Sequence, residues 1–144
     1  MVIRYYGSKA DLFAAAVRVD LQLPDLTTVD RDDLGRAMVA HFLRRWEGDL
    51  ADDTLQVLLR SAATHPAAAT RLRNLFSEQV TAVVATVVPD HAQERAAQTA
   101  SQLLGLAFCR YVLALPGLTG STERTLTARF ATTIQRYLTE PLPD

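Results

Sequence analysis

Gln93 to Leu115, QERAAQTASQLLGLAFCRYVLAL, decides the fold. No proline interrupts it, and at helical rise it spans about 35 Å. Its first half is amphipathic, with Ala96, Ala100, Leu103, Leu104 and Ala107 at spacings of three and four. Its second half, Leu103 to Leu115, is apolar almost all round and carries one charge, Arg110. A helix apolar on every side must be covered on every side. It is too short and too closely flanked by charge to cross a bilayer, which takes about 20 clean apolar residues. It therefore sits either at the centre of a helical domain, or between its own core and a second subunit. The small residues Ala96, Ala97, Ala100, Gly105 and Ala107 would let another helix approach closely, which favours the second subunit.

Outward from this stretch, the remaining segments also read as helices. Ser8 is an N-cap with Asp11 in the first turn, opening a helix from Lys9 to about Leu21 that Leu23-Pro24-Asp25 ends. Arg31 to Glu47 follows, with Leu34, Met38, Phe42 and Trp46 as a buried stripe and Gly48 at the C-terminal stop. Asp52 to Ala63 buries Leu55, Leu58 and Leu59. Pro66, well tolerated in a first turn, opens Pro66 to Val88, with Leu72, Leu75, Phe76, Val80, Val83, Val84 and Val87 on one side. The run VTAVVATVV has strand propensity, but the helical spacing upstream and the lack of a partner strand favour helix. Gly120-Ser121 sets up an N-cap for Thr122 to Leu138, whose Leu126, Phe130, Ile134, Tyr137 and Leu138 share a face. The expected architecture is all-α, a multi-helix bundle of about six helices with short connections.

The 144 residues make one domain, 49% apolar and 22% charged. A net charge of −1 gives no global basic field for nucleic acid. A single cysteine, Cys109, excludes an internal disulfide and fits a reducing cytoplasm. The first residues do not have a signal peptide's pattern. Only Lys9 among the fifteen basic residues is lysine, a bias expected of a GC-rich genome.

No catalytic set emerges. His41, His65 and His91 lie on separate segments, and His91-Ala92-Gln93-Glu94 reverses the Glu-x-x-His order of di-iron bundles, which need two such motifs. His65 reads as a capping or surface residue and Cys109 as a small core residue. There is no phosphate-binding glycine loop and no nucleophile elbow. No enzyme, cofactor or metal site is expected.

The opening residues carry a different signal. Val2-Ile3-Arg4-Tyr5-Tyr6-Gly7-Ser8-Lys9-Ala10-Asp11-Leu12-Phe13 resembles the junction that ends the DNA-binding domain of TetR-family transcriptional regulators. Tyr5 stands at the usual His position and Tyr6 at the usual Phe, while Ser8, Lys9, Leu12 and Phe13 match. Ile3 and Arg4 replace a commoner Tyr pair. Lys9 beside the free N–H groups of a helix start is a phosphate clamp, which positions a protein on DNA without reading bases.

The resemblance implies that residues 1–8 are the remnant of a helix-turn-helix recognition helix and its junction. Residues 9–140 would then be a helical ligand-binding and dimerisation domain. Operator DNA would be bound only with the missing N-terminal helices present, through phosphate contacts at Arg4, Tyr5 and Lys9. The implied partners are a second copy of the chain and a small hydrophobic effector, in the cytoplasm and with no membrane. The dimer would form through Gln93–Leu115 and Thr122–Leu138, with Ala100, Leu104, Ala107, Arg110, Phe130, Ile134 and Tyr137 at the interface. Arg110, the lone charge in an apolar stretch, would find a partner across it. The ligand pocket would be lined from Phe42, Trp46, Leu58, Phe76, Phe108 and Tyr111. The alternative is a stand-alone helical dimerisation or hydrophobic-ligand-binding module that never touches DNA.

Overall fold

Fourfold spacing of large apolar residues makes Leu34–Trp46 (α1) a helix, and the spacing is used: Leu34, Met38, Phe42 and Trp46 are all buried. The computed structural model describes residues 19–51 and 53–144. Two short 3₁₀ turns, Leu26–Thr28 and Arg31–Asp33, lead into α1. The first is capped by the Asp25 carboxylate, which accepts from Thr27 N at 3.0 Å. After α1 come α2 (Thr54–Ser61) and a long helical run in three pieces. These are α3 (Pro66–Asn74), a π-helical segment (Leu75–Val80) and α4 (Thr81–Ala85). Then α5 (Ala92–Ala107) passes into a second π-helical segment, Phe108–Val112. The short α6 (Pro116–Thr119) and α7 (Glu123–Thr139) complete the chain. Among the described residues there is no strand, and the domain is all-α.

The most extensive helix pair is α1 against α7, with α5 packed on both α7 and the Leu75–Ala85 run. Gly35 is what allows the first pair to close. A Cβ there would lie 2.4 Å from Ala131 O and 2.6 Å from Gln135 N, so no other residue fits this crossing. The Gln135 side chain ties the same point, accepting from Gly35 N at 2.7 Å and donating to Arg31 O at 2.7 Å. Arg95, nearly enclosed, closes the far end of α7. It donates to Tyr137 O at 3.1 Å and Glu140 O at 2.7 Å, carbonyls that the helix end leaves without internal donors.

Several expectations change. Among the described residues the most enclosed helix is α1, in which nine of thirteen residues are buried, so of the two placements left open the centre of its own domain does not hold for Gln93–Leu115. The latter stretch is not one α-helix: it turns π-helical at Phe108, and Ala114 then takes a left-handed φ of 53°. Its apolar end is left uncovered by its own chain, with Phe108, Leu113 and Leu115 exposed. The helix expected up to Leu21 does not include Val19 to Leu21: Val19 to Asp25 is not helical, and Gln22 takes a left-handed φ of 54°. The rest of that helix, with the junction motif, lies outside the described residues. Gly48 ends α1 without a positive φ; its role is spatial, since a Cβ would sit 2.8 Å from Arg44 Cα. The cap of α7 is Thr122, whose Oγ1 accepts from Thr125 N at 3.1 Å. Cys109 is half-buried, not core.

Candidate functional site

Val19, Leu21 and Leu23 alternate with Asp20 and Gln22, and the chain uses that period of two to lie as an extended strap over the helices. Val19 and Leu21 are buried while Asp20 and Gln22 face out. Three side chains hold the strap by its backbone. Gln79, in the first π-helical segment, acts as a one-residue strand partner: its Oε1 accepts from Leu21 N at 2.8 Å and its Nε2 donates to Val19 O at 3.0 Å. His41 Nε2 lies 2.8 Å from Leu21 O, and Arg45 Nε donates to Asp20 O at 3.1 Å. A carbonyl only accepts, so the His41 hydrogen is on Nε2.

Behind the strap is an apolar cavity. Leu21 and Leu23 form one wall; Met38, His41, Phe42, Arg45 and Trp46 of α1 form another. Phe76 and Val80 of the π-helical segment and Leu103 of α5 close it. Its volume is about 20 Å³, room for one water, whereas pockets for small organic ligands measure about 300–1,000 Å³. The cavity is therefore too small for such a ligand in this packing. Among the described residues its wall is helical except at the strap, so the strap is the part that can yield without breaking a helix.

Of the expected pocket residues, Phe42, Trp46 and Phe76 line this cavity. Leu58 is fully buried in the core apart from it, and Phe108 points outward, 40% exposed. Tyr111 stands one layer behind: its ring stacks on Trp46 with centroids 5.8 Å apart. The polar pair His41 and Arg45 was missed, although both follow Met38 and Phe42 at helical spacing on the α1 stripe. Gln79 and the strap leucines were missed as well.

Tyr111 belongs to a polar cluster that ties the second π-helical segment to the end of α1. Arg110 grips Glu47 with two donors, Nε to Oε2 at 2.7 Å and Nη2 to Oε1 at 2.9 Å. The Arg110 Nη1 also donates to Leu118 O and, at 3.1 Å, to Ser121 O. The Tyr111 hydroxyl donates to Glu47 Oε2. Burial pushes the Glu47 carboxyl up, but the hydrogen bonds from Arg110 and Tyr111 and the Arg110 charge outweigh it and hold the group below the usual range. Burial first, and then the Glu47 carboxylate, push the Tyr111 phenol well above its ordinary value. Arg110 thus finds its partners in its own chain, where a cross-subunit partner was expected.

The expected interface residues separate in the same way. Ala107 and Ile134 have no exposed surface and pack inside the subunit. Ala100 and Leu104 line a groove against Phe76 and Thr81, away from α7. Phe130 and Tyr137 are half-buried on the outward side of α5 and α7. There Phe130 shares a shallow groove with Ser101, Gln102, Gly105 and Cys109. A Cβ on Gly105 would meet nothing. Arg4, Tyr5 and Lys9 lie outside the described residues.

A family model described as "Tetracyclin repressor-like, C-terminal domain" matches residues 32–138. The chain belongs to the TetR family. No curated protein and no solved structure matches it. The match spans α1 to α7, so the helical walls of the cavity, the polar cluster and the outward α5–α7 face belong to the TetR-like domain, and the strap, which precedes the match, enters it from the N-terminal side. Such a domain is the regulatory, ligand-binding and dimerising part of TetR regulators. Among its described residues no group of three His, Cys, Asp or Glu side chains could hold a metal, and no helix is long and apolar enough to cross a membrane.

Proposed function

We propose that the chain is the effector-sensing, homodimerising domain of a TetR-type transcriptional regulator of the cytoplasm. The observation that carries this reading is the small apolar cavity whose one non-helical wall among the described residues, the strap, runs straight into the N-terminal residues. A small hydrophobic molecule that fills the cavity needs the strap to move, and the strap is the link to whatever lies before Val19. The effector shifts the equilibrium between strap-closed and strap-open packings only by the difference in its affinity for the two. Arg4, Tyr5 and Lys9 would touch operator phosphates, with base reading left to a helix-turn-helix head in the full-length regulator. The second copy would pack on the outward face of α5 and α7, around Gly105, Phe130 and Tyr137, as a twofold pair.

Trp46 is the chain's single tryptophan and lines the cavity, so its emission reports occupancy. Titration with 1-octanol, octanamide, octanoate and octylamine should give a saturable change with at least one of the four. No change with any of them, together with no heat of binding, would remove the effector pocket from this account.

A further inference from the structure

Spacings of four, three and four put Ala97, Ser101, Leu104 and Phe108 on one side of the helix that runs through α5 into the second π-helical segment. One end of this row is a knob: Phe108 is 40% exposed and is the one exposed aromatic ring among the described residues. The other end is a hollow. Ala97, Ala100 and Leu104 face Phe76 and Thr81 across a mostly apolar groove of about 310 Å³, into which Arg73 also reaches. That volume is at the low end of what holds a small organic molecule, and it has room for a benzyl group. We propose that the groove is the seat for Phe108 of a second copy of the chain, each ring filling the other's groove across a twofold axis. The proposal rests on the homodimer reading above and adds the side chain that anchors the pair and the point at which the axis crosses α5.

The occupant follows from the arrangement of knob and hollow. They are about nine residues apart on one helix, or about 14 Å. A twofold axis midway between them, at the turn from Ser101 to Gly105, exchanges the two positions, so the contact is made twice. A foreign partner would have to bring both a ring and a hollow at this spacing, whereas a second copy carries both. The axis also falls where another helix can come closest. Ser101 and Gly105 are exposed, and a Cβ on Gly105 would meet nothing, so the partner's α5 can cross at the short end of the roughly 8–10 Å between packed helices. An aromatic side chain entering an apolar hollow is the kind of contact that dominates the binding energy of an interface. The groove lies on the side of α5 away from α7, so the seat extends the contact between copies past the α5–α7 face and brings Ala100 and Leu104 into it.

The experiment measures the dimer dissociation constant of the full chain by sedimentation, with the helix content of each variant checked by circular dichroism. Phe108→Ala removes two anchors per dimer and should raise the constant at least roughly hundred-fold. Phe108→Lys brings a cation towards Arg73 of the other copy, and Ala97→Glu puts a carboxylate in the seat; each should weaken the dimer. Carried on one chain, the two substitutions should leave the dimer at least roughly ten-fold tighter than the product of their separate effects. Positions 97 and 108 are about 16 Å apart along one helix, so the new charges cannot meet within a chain and their coupling arises between copies. An unchanged constant in Phe108→Ala would overturn the seat while leaving the dimer in place. Independent effects in the double variant would overturn the pairing of ring with groove. An unaltered chain that stays monomeric would overturn the homodimer reading and this proposal with it.

Discussion

Gly35→Ala sets two effects of opposite sign against each other. In an exposed helix, alanine for glycine stabilises by about 1 kcal/mol, because glycine has more backbone freedom to lose. At Gly35 the added methyl would fall 2.4 Å from Ala131 O, 2.6 Å from Gln135 N and 2.9 Å from Gln135 Cα. All three are backbone atoms, so no side-chain rotation relieves the clash, and α1 must move away from α7. Such overpacking costs about 1–3 kcal/mol. The same movement breaks the Gly35 N to Gln135 Oε1 bond and strains Gln135 Nε2 to Arg31 O, for about 1 kcal/mol each. The net expectation is a loss of about 2–4 kcal/mol, a large share of the roughly 5–15 kcal/mol that holds a domain folded. Urea unfolding at one fixed protein concentration should show the midpoint falling by about 1–2 M, with a slope near 2 kcal/mol/M. An unchanged or raised midpoint would mean that helix propensity wins and that the α1–α7 crossing is looser than described.

Arg110→Met leaves Glu47 half-buried with Tyr111 as its remaining partner and should cost about 2–3 kcal/mol in the same assay, between the roughly 0–1 of an exposed pair and the roughly 3–5 of a buried one. Because the folded state lowers the Glu47 pKa, its contribution is present above the ordinary value of 4.5 and is lost as pH falls below it. The urea midpoint should therefore drop more steeply as pH falls below about 4.5 in the unaltered chain than in Glu47→Gln. Thr99 is fully buried and its Oγ1 has no hydrogen-bond partner among the described residues, so Thr99→Val should raise stability by about 1 kcal/mol; a loss would reveal a partner. Arg95→Met should destabilise by about 2 kcal/mol, and hydrogen exchange should show the end of α7 fraying first.

The helices were legible because each has a stripe of large apolar residues at helical spacing, as with Leu34, Met38, Phe42 and Trp46. What a pattern does not carry is the identity of the covering surface. The apolar stretch ending in Phe108, Leu113 and Leu115 left two placements open, the centre of its own domain or a seam with a second subunit; α1 is the enclosed helix and those three residues face out, which sets the first aside. The two π-helical segments were invisible, because an i→i+5 turn changes register without changing composition. Three of the expected pocket residues, Phe42, Trp46 and Phe76, do meet in one cavity, since large residues on inward stripes converge. Arg110 was singled out correctly as needing partners, but Glu47 lies sixty-three residues away in sequence and no spacing rule connects them. The strap was the costliest omission. Val19, Leu21 and Leu23 alternate as an extended segment does, and the helix expected up to Leu21 obscured that signal.

The account depends on the outward face of α5 and α7 being the place where two copies meet, and Gly105 offers a clean probe of it. A Cβ there meets nothing within its own subunit and an arginine can extend away from it, so Gly105→Arg should fold as well as the unaltered chain, checked by circular dichroism, and obstruct a second copy. Sedimentation equilibrium at micromolar concentration should find the unaltered chain at twice the mass of one chain and Gly105→Arg at the mass of one. An unaltered chain that sediments as a monomer, or a Gly105→Arg variant that stays a dimer, would contradict the account.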